Sequence, residues 1–173
     1  TREESPTVTE ILDKNTLSKN SIFYYNGHGT LHERRAAVVD TDYFFDIHAY
    51  RPFWNDNLEG FEITPKDIKA LELPEYELVF LNACGSGYKS GYKDISFEEA
   101  FNTKAYMGWK TSPIAQRIVK YGKLFFEECA KKDNEGKKLN VYDSAYRVID
   151  EFDGLINENL YVNDGAKGLI LGE

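Results

Sequence analysis

A histidine and a cysteine, the two residue types of a thiol-based catalytic pair, each follow a short apolar run and lie beside glycine. His28 lies in the stretch SIFYYNGHGT, and Cys84 lies in ELVFLNACGSG. A thiolate can attack an acyl carbon, and an imidazole can carry the proton of the attacking thiol or of the leaving amine. His28 and Cys84 are therefore the candidate catalytic residues.

Glycines beside both candidates leave room for another molecule and expose backbone amides. Gly27 and Gly29 flank His28 and offer the backbone freedom that a turn after a strand needs. The amides of Gly29 and Cys84 are the candidate donors to the oxyanion of a tetrahedral intermediate. Loss of one such donor typically lowers a rate by about 10²–10³-fold.

The elements that must position this pair alternate between strands and helices. Leu78–Leu81 form a continuous apolar run, typical of a strand buried on both faces of a parallel sheet, and Lys104–Trp109 read as the next strand. Ligands gather beyond the carboxyl ends of such strands, where His28 and Cys84 both fall. The sequence predicts an α/β fold, a three-layer αβα sandwich with a mostly parallel sheet and both side chains in one crevice.

Local signals set the remaining boundaries. Capping residues predict helix starts at Thr64 and Ser96, the first helix ending near Leu71. Further predictions are a short helix in TVTEILDKN, a strand at Ala36–Asp40, a helix from Ser112-Pro113, a helix marked by Val141, Ala145, Val148, Ile149 and Phe152, and a last strand in GLIL. Cys129 shares the apolar face of the helix after Pro113, so it is predicted to pack in the core.

Bulk composition bounds the classes of partner. The 173 residues, 42% of them hydrophobic, suffice for a single domain over residues 1–173. The formal net charge of −8 disfavours nucleic acid and anionic membrane surfaces as partners. Because the chain begins at Thr1 and not at methionine, an upstream segment or leader remains open, and so does the compartment.

Metal and phosphate sites are the competing interpretations of the same residues. His32 lies four residues after His28, and these two with Cys84 resemble part of a zinc site, but no fourth ligand has suitable spacing. CGSG lacks the lysine and spacing of a phosphate-binding loop. We therefore expect no metal and no cofactor.

The ordered motifs resemble the caspase-like, or clan CD, cysteine peptidases. FYYNGHG is similar to their strand ending in His-Gly, and LVFLNACGSG to their strand ending in the nucleophile. ITPKDIKALELPEYELVFLNAC is especially similar to the bacterial CHAT and gingipain-like pattern, and the likeness runs from about Leu17 to the C-terminus. It implies a caspase-like fold, His28 as catalytic histidine, Cys84 as nucleophile and Gly29 as an oxyanion donor.

The resemblance also suggests where a substrate would bind. Clostripain- and separase-like members carry an acid two residues before the cysteine, which is tied to specificity for basic residues. This chain has Asn82 there, which makes Asn82 a candidate substrate contact. Asp40, Asp42 and Asp46 are candidates for a negative pocket, with walls from Tyr43, Phe53, Trp54 and Trp109. The alternative for the aromatic stretch Tyr43–Trp54 is a lid packed onto the domain.

Three functions fit these residues. The first is a cysteine endopeptidase that acts on a peptide or protein substrate through a thioacyl intermediate on Cys84, with His28 as proton carrier. The second is a catalytically inactive signalling or protein-binding module. The third is an acyltransferase or thioesterase acting on a small molecule. Because family members usually carry further βα units before the histidine strand, an upstream fragment or a regulatory protein is an additional expected partner.

Overall fold

A computed structural model describes residues 21–32, 35–39, 62–87, 95–111, 115–152 and 159–172, with only the backbone at 28, 30–32, 35–39, 62, 115 and 116. The elements in chain order are β1 (Ile22–Asn26), β2 (His28–His32), β3 (Arg35–Val39), β4 (Glu62–Ile63), α1 (Pro65–Ala70), β5 (Tyr76–Asn82), α2 (Phe97–Ala100), β6 (Thr103–Trp109), α3 (Ala115–Ala130), α4 (Val141–Glu151), β7 (Leu160–Val162) and a 3₁₀ helix (Asp164–Gly168).

The main sheet has the strand order β1-β5-β6-β7. β1, β5 and β6 are parallel, and β7 runs antiparallel at the edge beside β6. β5 and β6 are almost entirely buried, as expected for central strands covered on both faces. The predicted mostly parallel sheet is therefore confirmed.

Two hydrophobic clusters cover the opposite faces of this sheet. Val79, Leu81 and Tyr106 pack on one face with residues of α1 and α2. Leu78 and Phe80 pack on the other face with the long helices α3 and α4. Because side chains alternate along a strand, β5 supplies both cores, and the three-layer α/β arrangement follows directly.

A second, antiparallel sheet of order β2-β3-β4 begins immediately after β1. The sequence predicted a turn at His28 and a strand over Ala36–Asp40, within an alternation of strands and helices. The prediction of a turn at His28 was wrong. Gly27 forms a bend, His28 begins β2, and β2 pairs with β3 at Arg35–Val39. The extended backbone after His28 pairs with β3 in this hairpin and does not enter a helix.

The predicted helix caps are confirmed. The Thr64 side chain accepts from the Asp67 amide while the Asp67 carboxylate accepts from the Thr64 amide, and Ser96 and Glu99 form the same reciprocal pair. α1 ends at Ala70 with Leu71 as its C-cap. These reciprocal pairs, known as capping boxes, satisfy backbone donors at the start of each helix. Both helix starts could therefore be identified from local sequence.

The C-terminal region differs from the prediction. The last strand is β7, and GLIL is not a strand but the end of the 3₁₀ helix followed by irregular chain. Leu169 and Leu171 pack against the α3 and α4 core, and the Leu169 carbonyl accepts from the first amide of α4 at 2.8 Å. This apolar run thus covers a helix end and adds no strand.

α3 and α4 follow the predicted amphipathic pattern, with Val141, Ala145, Val148 and Ile149 buried. Residues 112–114, where the first of these helices was predicted to begin, and the predicted helix in TVTEILDKN lie outside the described residues. None of the helices in the described part of the chain is long and apolar enough to cross a membrane.

Candidate functional site

The segments that carry His28 and Cys84 leave the sheet at the same level. β1 and β5 are parallel neighbours, and their last residues, Asn26 and Asn82, are register partners. His28 and Cys84 each lie two residues beyond that pair. Parallel pairing therefore brings the two candidates to the same sheet end, as the sequence predicted.

The backbone just after His28 touches the backbone of Cys84. A Cβ atom at Gly29 would overlap the carbonyl oxygen of Cys84 and would lie 3.0 Å from both the Cys84 nitrogen and the Ala83 Cβ. Any side chain at position 29 would therefore push β2 away from the cysteine. For His28 the structure describes the backbone, which adjoins this contact.

The glycines around His28 serve a different purpose from the one predicted. Left-handed glycines in the described chain are Gly85, Gly136 and Gly172, so neither Gly27 nor Gly29 needs an unusual φ. A Cβ at Gly27 would strike the Tyr25 phenol, just as one at Gly29 would strike the cysteine backbone. Both positions need the absence of a side chain for close packing, not for conformational freedom.

The turn that carries the cysteine, Ala83–Gly87, is termed the Cys84 turn. Gly85 has a φ of 70°, a conformation that favours glycine, and its amide donates to the Thr111 carbonyl at 3.0 Å. The Ser86 hydroxyl shares its proton between the carbonyl oxygens of Leu81 and Ala83, at 2.6 and 2.7 Å. These contacts fix the direction of the chain on both sides of Cys84, which is itself partly exposed.

Strand β6 holds the Cys84 turn from behind. The Trp109 amide donates to the Ser86 hydroxyl at 3.1 Å, and the Gly87 amide donates to the Trp109 carbonyl at 2.9 Å. Burial raises the pKa of Tyr106 well above its ordinary value, so its hydroxyl stays protonated and donates to the Ser86 carbonyl at 2.7 Å. Ser86 was not predicted as a site residue from the sequence, although a small polar residue between two glycines after a buried strand is a typical turn signal.

Asn82 and Trp109, predicted to contact a substrate, lie in the interior. Both are 0% exposed, and the Trp109 indole donates to the Asn82 side-chain oxygen at 2.7 Å. The Asn82 amide nitrogen donates to Asn26 Oδ1 and to the Ile118 carbonyl, each at 2.7 Å. With their polar atoms bonded to protein groups, both side chains support the site from below and present no surface to a ligand.

The other predicted substrate contacts, Asp46 and Trp54, lie outside the described residues, as do Asp40, Asp42, Tyr43 and Phe53. The described part of the site consequently comprises the two strand ends, the Cys84 turn and the start of β2.

Cys129 packs in the core, as predicted. It is 3% exposed within the α3 and α4 cluster, and burial raises the pKa of its thiol to about 11. At neutral pH the Cys129 thiol is therefore protonated and shielded, and Cys84 is the more accessible of the two thiols.

Within the described ranges, no group of three or more His, Cys, Asp or Glu side chains is placed to hold a metal ion. The side chains of His28 and His32 lie outside the described part of the chain, so the interpretation of His28, His32 and Cys84 as zinc ligands is not tested.

One solved structure similar to this chain is the X-ray structure of a secreted C11 cysteine protease from Bacteroides thetaiotaomicron in complex with an irreversible peptide inhibitor. The sequence identity is 11% and the TM-score is 0.44. The match covers 88% of this chain and 44% of the protease, so this chain spans less than half the length of that protein. No protein family and no curated protein matches the sequence.

Proposed function

We propose that this chain carries a cysteine peptidase centre in which Cys84 is the nucleophile and His28 the proton carrier. The observation that carries the proposal is the packing of the Gly29 backbone against the Cys84 backbone, one residue after the histidine. A second support is the common level at which β1 and β5 end. A thiol nucleophile and an imidazole base, carried at adjoining positions on one sheet end, are the two groups that thiol-based acyl transfer requires.

The reaction begins when the Cys84 thiolate forms a bond to the carbonyl carbon of a peptide. The resulting tetrahedral oxyanion collapses as the carbon–nitrogen bond breaks, and the His28 imidazolium gives its proton to the leaving amine. Water then attacks the thioester, its proton passes to His28, and the carbon–sulfur bond breaks to release the acid. Proton transfer of this kind contributes about 10²–10⁴-fold to a rate.

The backbone amides of Gly29 and Cys84 are the proposed oxyanion donors. Contact between the two backbones supports this role, because donors on adjoining segments can converge on one oxygen. The hydrogen bonds that hold the Cys84 turn add a second support. Donors fixed in advance stabilise a developing charge without reorganisation during the reaction.

Peptides or proteins are the proposed substrates, and Asp46 and Trp54 are the proposed contacts with them. The fold is consistent with a caspase-like peptidase, and the likeness of ITPKDIKALELPEYELVFLNAC favours a relation to the CHAT and gingipain-like members of clan CD. Asn82, at the position of the acid in clostripain-like members, is buried and uncharged, so cleavage after basic residues does not follow from it.

Covalent labelling is the direct test. The protein is incubated with a peptide acyloxymethyl ketone, the adduct is mapped by mass spectrometry, and turnover of a broad peptide library is measured in parallel. We expect an adduct on Cys84, with loss of labelling and turnover in Cys84→Ala and His28→Ala. Cys129→Ala is the matched control for the second thiol, and it should retain both.

Different outcomes separate the alternatives. Labelling confined to Cys129, or none at all, would contradict the assignment of Cys84 as nucleophile. A labelled Cys84 without peptide turnover would favour the inactive binding module, unless simple thioesters react. In that case an acyltransferase or thioesterase activity replaces the peptidase.

A further inference from the structure

One buried side chain connects the segments on which the proposed centre depends. From its contacts we infer that Asn82 is a positioning residue that keeps the His28 and Cys84 segments in register. This inference rests on the proposed function. It assigns Asn82 an indirect role and replaces the predicted contact between Asn82 and a substrate.

Asn82 reaches three elements besides its own strand, β5. Its Nδ2 atom donates to Asn26 Oδ1, at the end of β1, and to the Ile118 carbonyl of α3, both at 2.7 Å. Its Oδ1 atom accepts from the Trp109 indole on β6, also at 2.7 Å. The Tyr24 hydroxyl lies 3.2 Å from Nδ2 on the same side.

The side-chain bond between the two strand ends is shorter than the backbone bond that lies next to it. The Gly27 amide reaches the Asn82 carbonyl only at 3.5 Å, whereas the Asn82 and Asn26 side chains meet at 2.7 Å. His28 lies two residues after Asn26, and Cys84 lies two residues after Asn82. Loosening the Asn82–Asn26 link would therefore let the two segments move relative to each other.

The site demands an amide and not an acid. Asn26 Oδ1 and the Ile118 carbonyl are both acceptors, so they require a donor from position 82. Aspartate matches asparagine in size but, when ionised, has no donor and would face two oxygens in a fully buried position. Asn82→Asp therefore changes the hydrogen bonding with almost no change in volume.

Helix α3 approaches this cluster closely at Gly122. A Cβ there would meet the Tyr24 hydroxyl and lie 2.9 Å from Asn82 Nδ2. The buried Asn82 side chain therefore has no room to shift toward α3. We expect the loss of its hydrogen bonds to be taken up by movement of the strand ends or of the helix.

The test uses the pH dependence of Cys84 alkylation by iodoacetamide, followed by mass spectrometry in the wild type, Asn82→Asp and Asn26→Ala. A thiolate stabilised by a nearby imidazolium titrates below the ordinary thiol value of about 8.5. We expect both variants to raise the apparent pKa of Cys84, and the alkylation rate at pH 6 should fall as the thiolate population at that pH falls. Asn26 is exposed, so Asn26→Ala keeps the test open if Asn82→Asp fails to fold.

Two controls distinguish positioning from simple destabilisation. Tyr121→Phe removes a buried hydroxyl that donates to the Ala145 carbonyl at 3.0 Å but keeps the ring that packs against Trp109, so it should lower the melting temperature without changing the Cys84 profile. In a His28→Ala background, Asn26→Ala should have no further effect on the profile, because it adds no charge and the side chain whose segment the Asn82–Asn26 link positions is gone.

The two proposals fail differently. If the pH profile of Cys84 alkylation depends on His28 but is unchanged by both Asn82→Asp and Asn26→Ala, the positioning role is wrong. The proposed catalytic centre is not affected by that result. If Cys84 in the wild type titrates as an ordinary thiol and its pH profile is unchanged by His28→Ala, both the proposed centre and the positioning role are wrong.

Discussion

Gly29→Ala tests the contact that carries the functional proposal. The added methyl group would overlap the Cys84 carbonyl oxygen and crowd the Cys84 nitrogen and the Ala83 Cβ, each at 3.0 Å. Two of these three neighbours are backbone atoms, which cannot rotate aside. Since heavy atoms pack best at about 3.5–4.0 Å, the start of β2 must move by roughly 1 Å from the Cys84 turn.

The expected cost has a structural part and a chemical part. Overpacking of this kind destabilises a fold by about 1–3 kcal/mol, and each kcal/mol lowers the melting temperature by about 2–4 °C in a chain of this size. A displacement of about 1 Å between reacting groups can cost about 10²-fold in rate. Gly29→Ala should therefore react with a peptide acyloxymethyl ketone about 100-fold more slowly while remaining folded.

The assay compares the second-order rate of Cys84 modification with the melting temperature of the same sample. Gly168→Ala is the matched control, because it adds the same methyl group where no heavy atom lies within 4 Å. It should leave both measurements unchanged. A Gly29→Ala variant that labels at the wild-type rate would refute the close approach of the His28 and Cys84 segments.

Three further outcomes are expected. Gly85→Ala and Gly136→Ala both force alanine into a left-handed conformation (φ 70° and 79°), and each should lower the free energy of unfolding by about 1–2 kcal/mol. Only Gly85→Ala should slow the labelling of Cys84. Equal slowing in both variants would contradict the role of the Cys84 turn. Ser86→Ala leaves the buried Trp109 amide without its acceptor and should lower the free energy of unfolding by about 1–3 kcal/mol in urea titrations, together with Cys84 reactivity. Because the Cys129 pKa rises from 9.0 to about 11 on folding, the unfolded chain loses this proton first, and stability should fall by about 1.4 kcal/mol per pH unit between those values; Cys129→Ala should flatten that part of the slope.

Local and short-range signals predicted the central part of this fold. The apolar runs of β5 and β6, the caps at Thr64 and Ser96 and the amphipathic face of α4 depend on neighbouring residues, and each was correctly identified from sequence. The common sheet end of His28 and Cys84 also followed, because parallel strands place their carboxyl ends together.

Two kinds of feature could not be predicted from the sequence. The hairpin of β2 and β3 pairs residues that are close in the chain, such as His32 and Arg35, but HGTLH carries no apolar alternation that would reveal its first strand. The close packing at Gly29 and the burial of Asn82 arise only when two strands and a helix meet. A glycine therefore suggested a turn, and an asparagine beside a candidate nucleophile suggested a ligand contact.

Because β3 pairs antiparallel with β4, the segment between these two strands can be replaced by a short connector. Val39 and Glu62 are register partners, so the two described chain ends that border residues 40–61 lie side by side. A short Asn-Gly connection can join strands that end in this way, because loop closure depends only weakly on length. Grafting such a connector in place of residues 40–61 would yield a minimal scaffold, in which the proposed contributions of Asp46 and Trp54 to substrate binding can be removed without cutting the framework that holds Cys84.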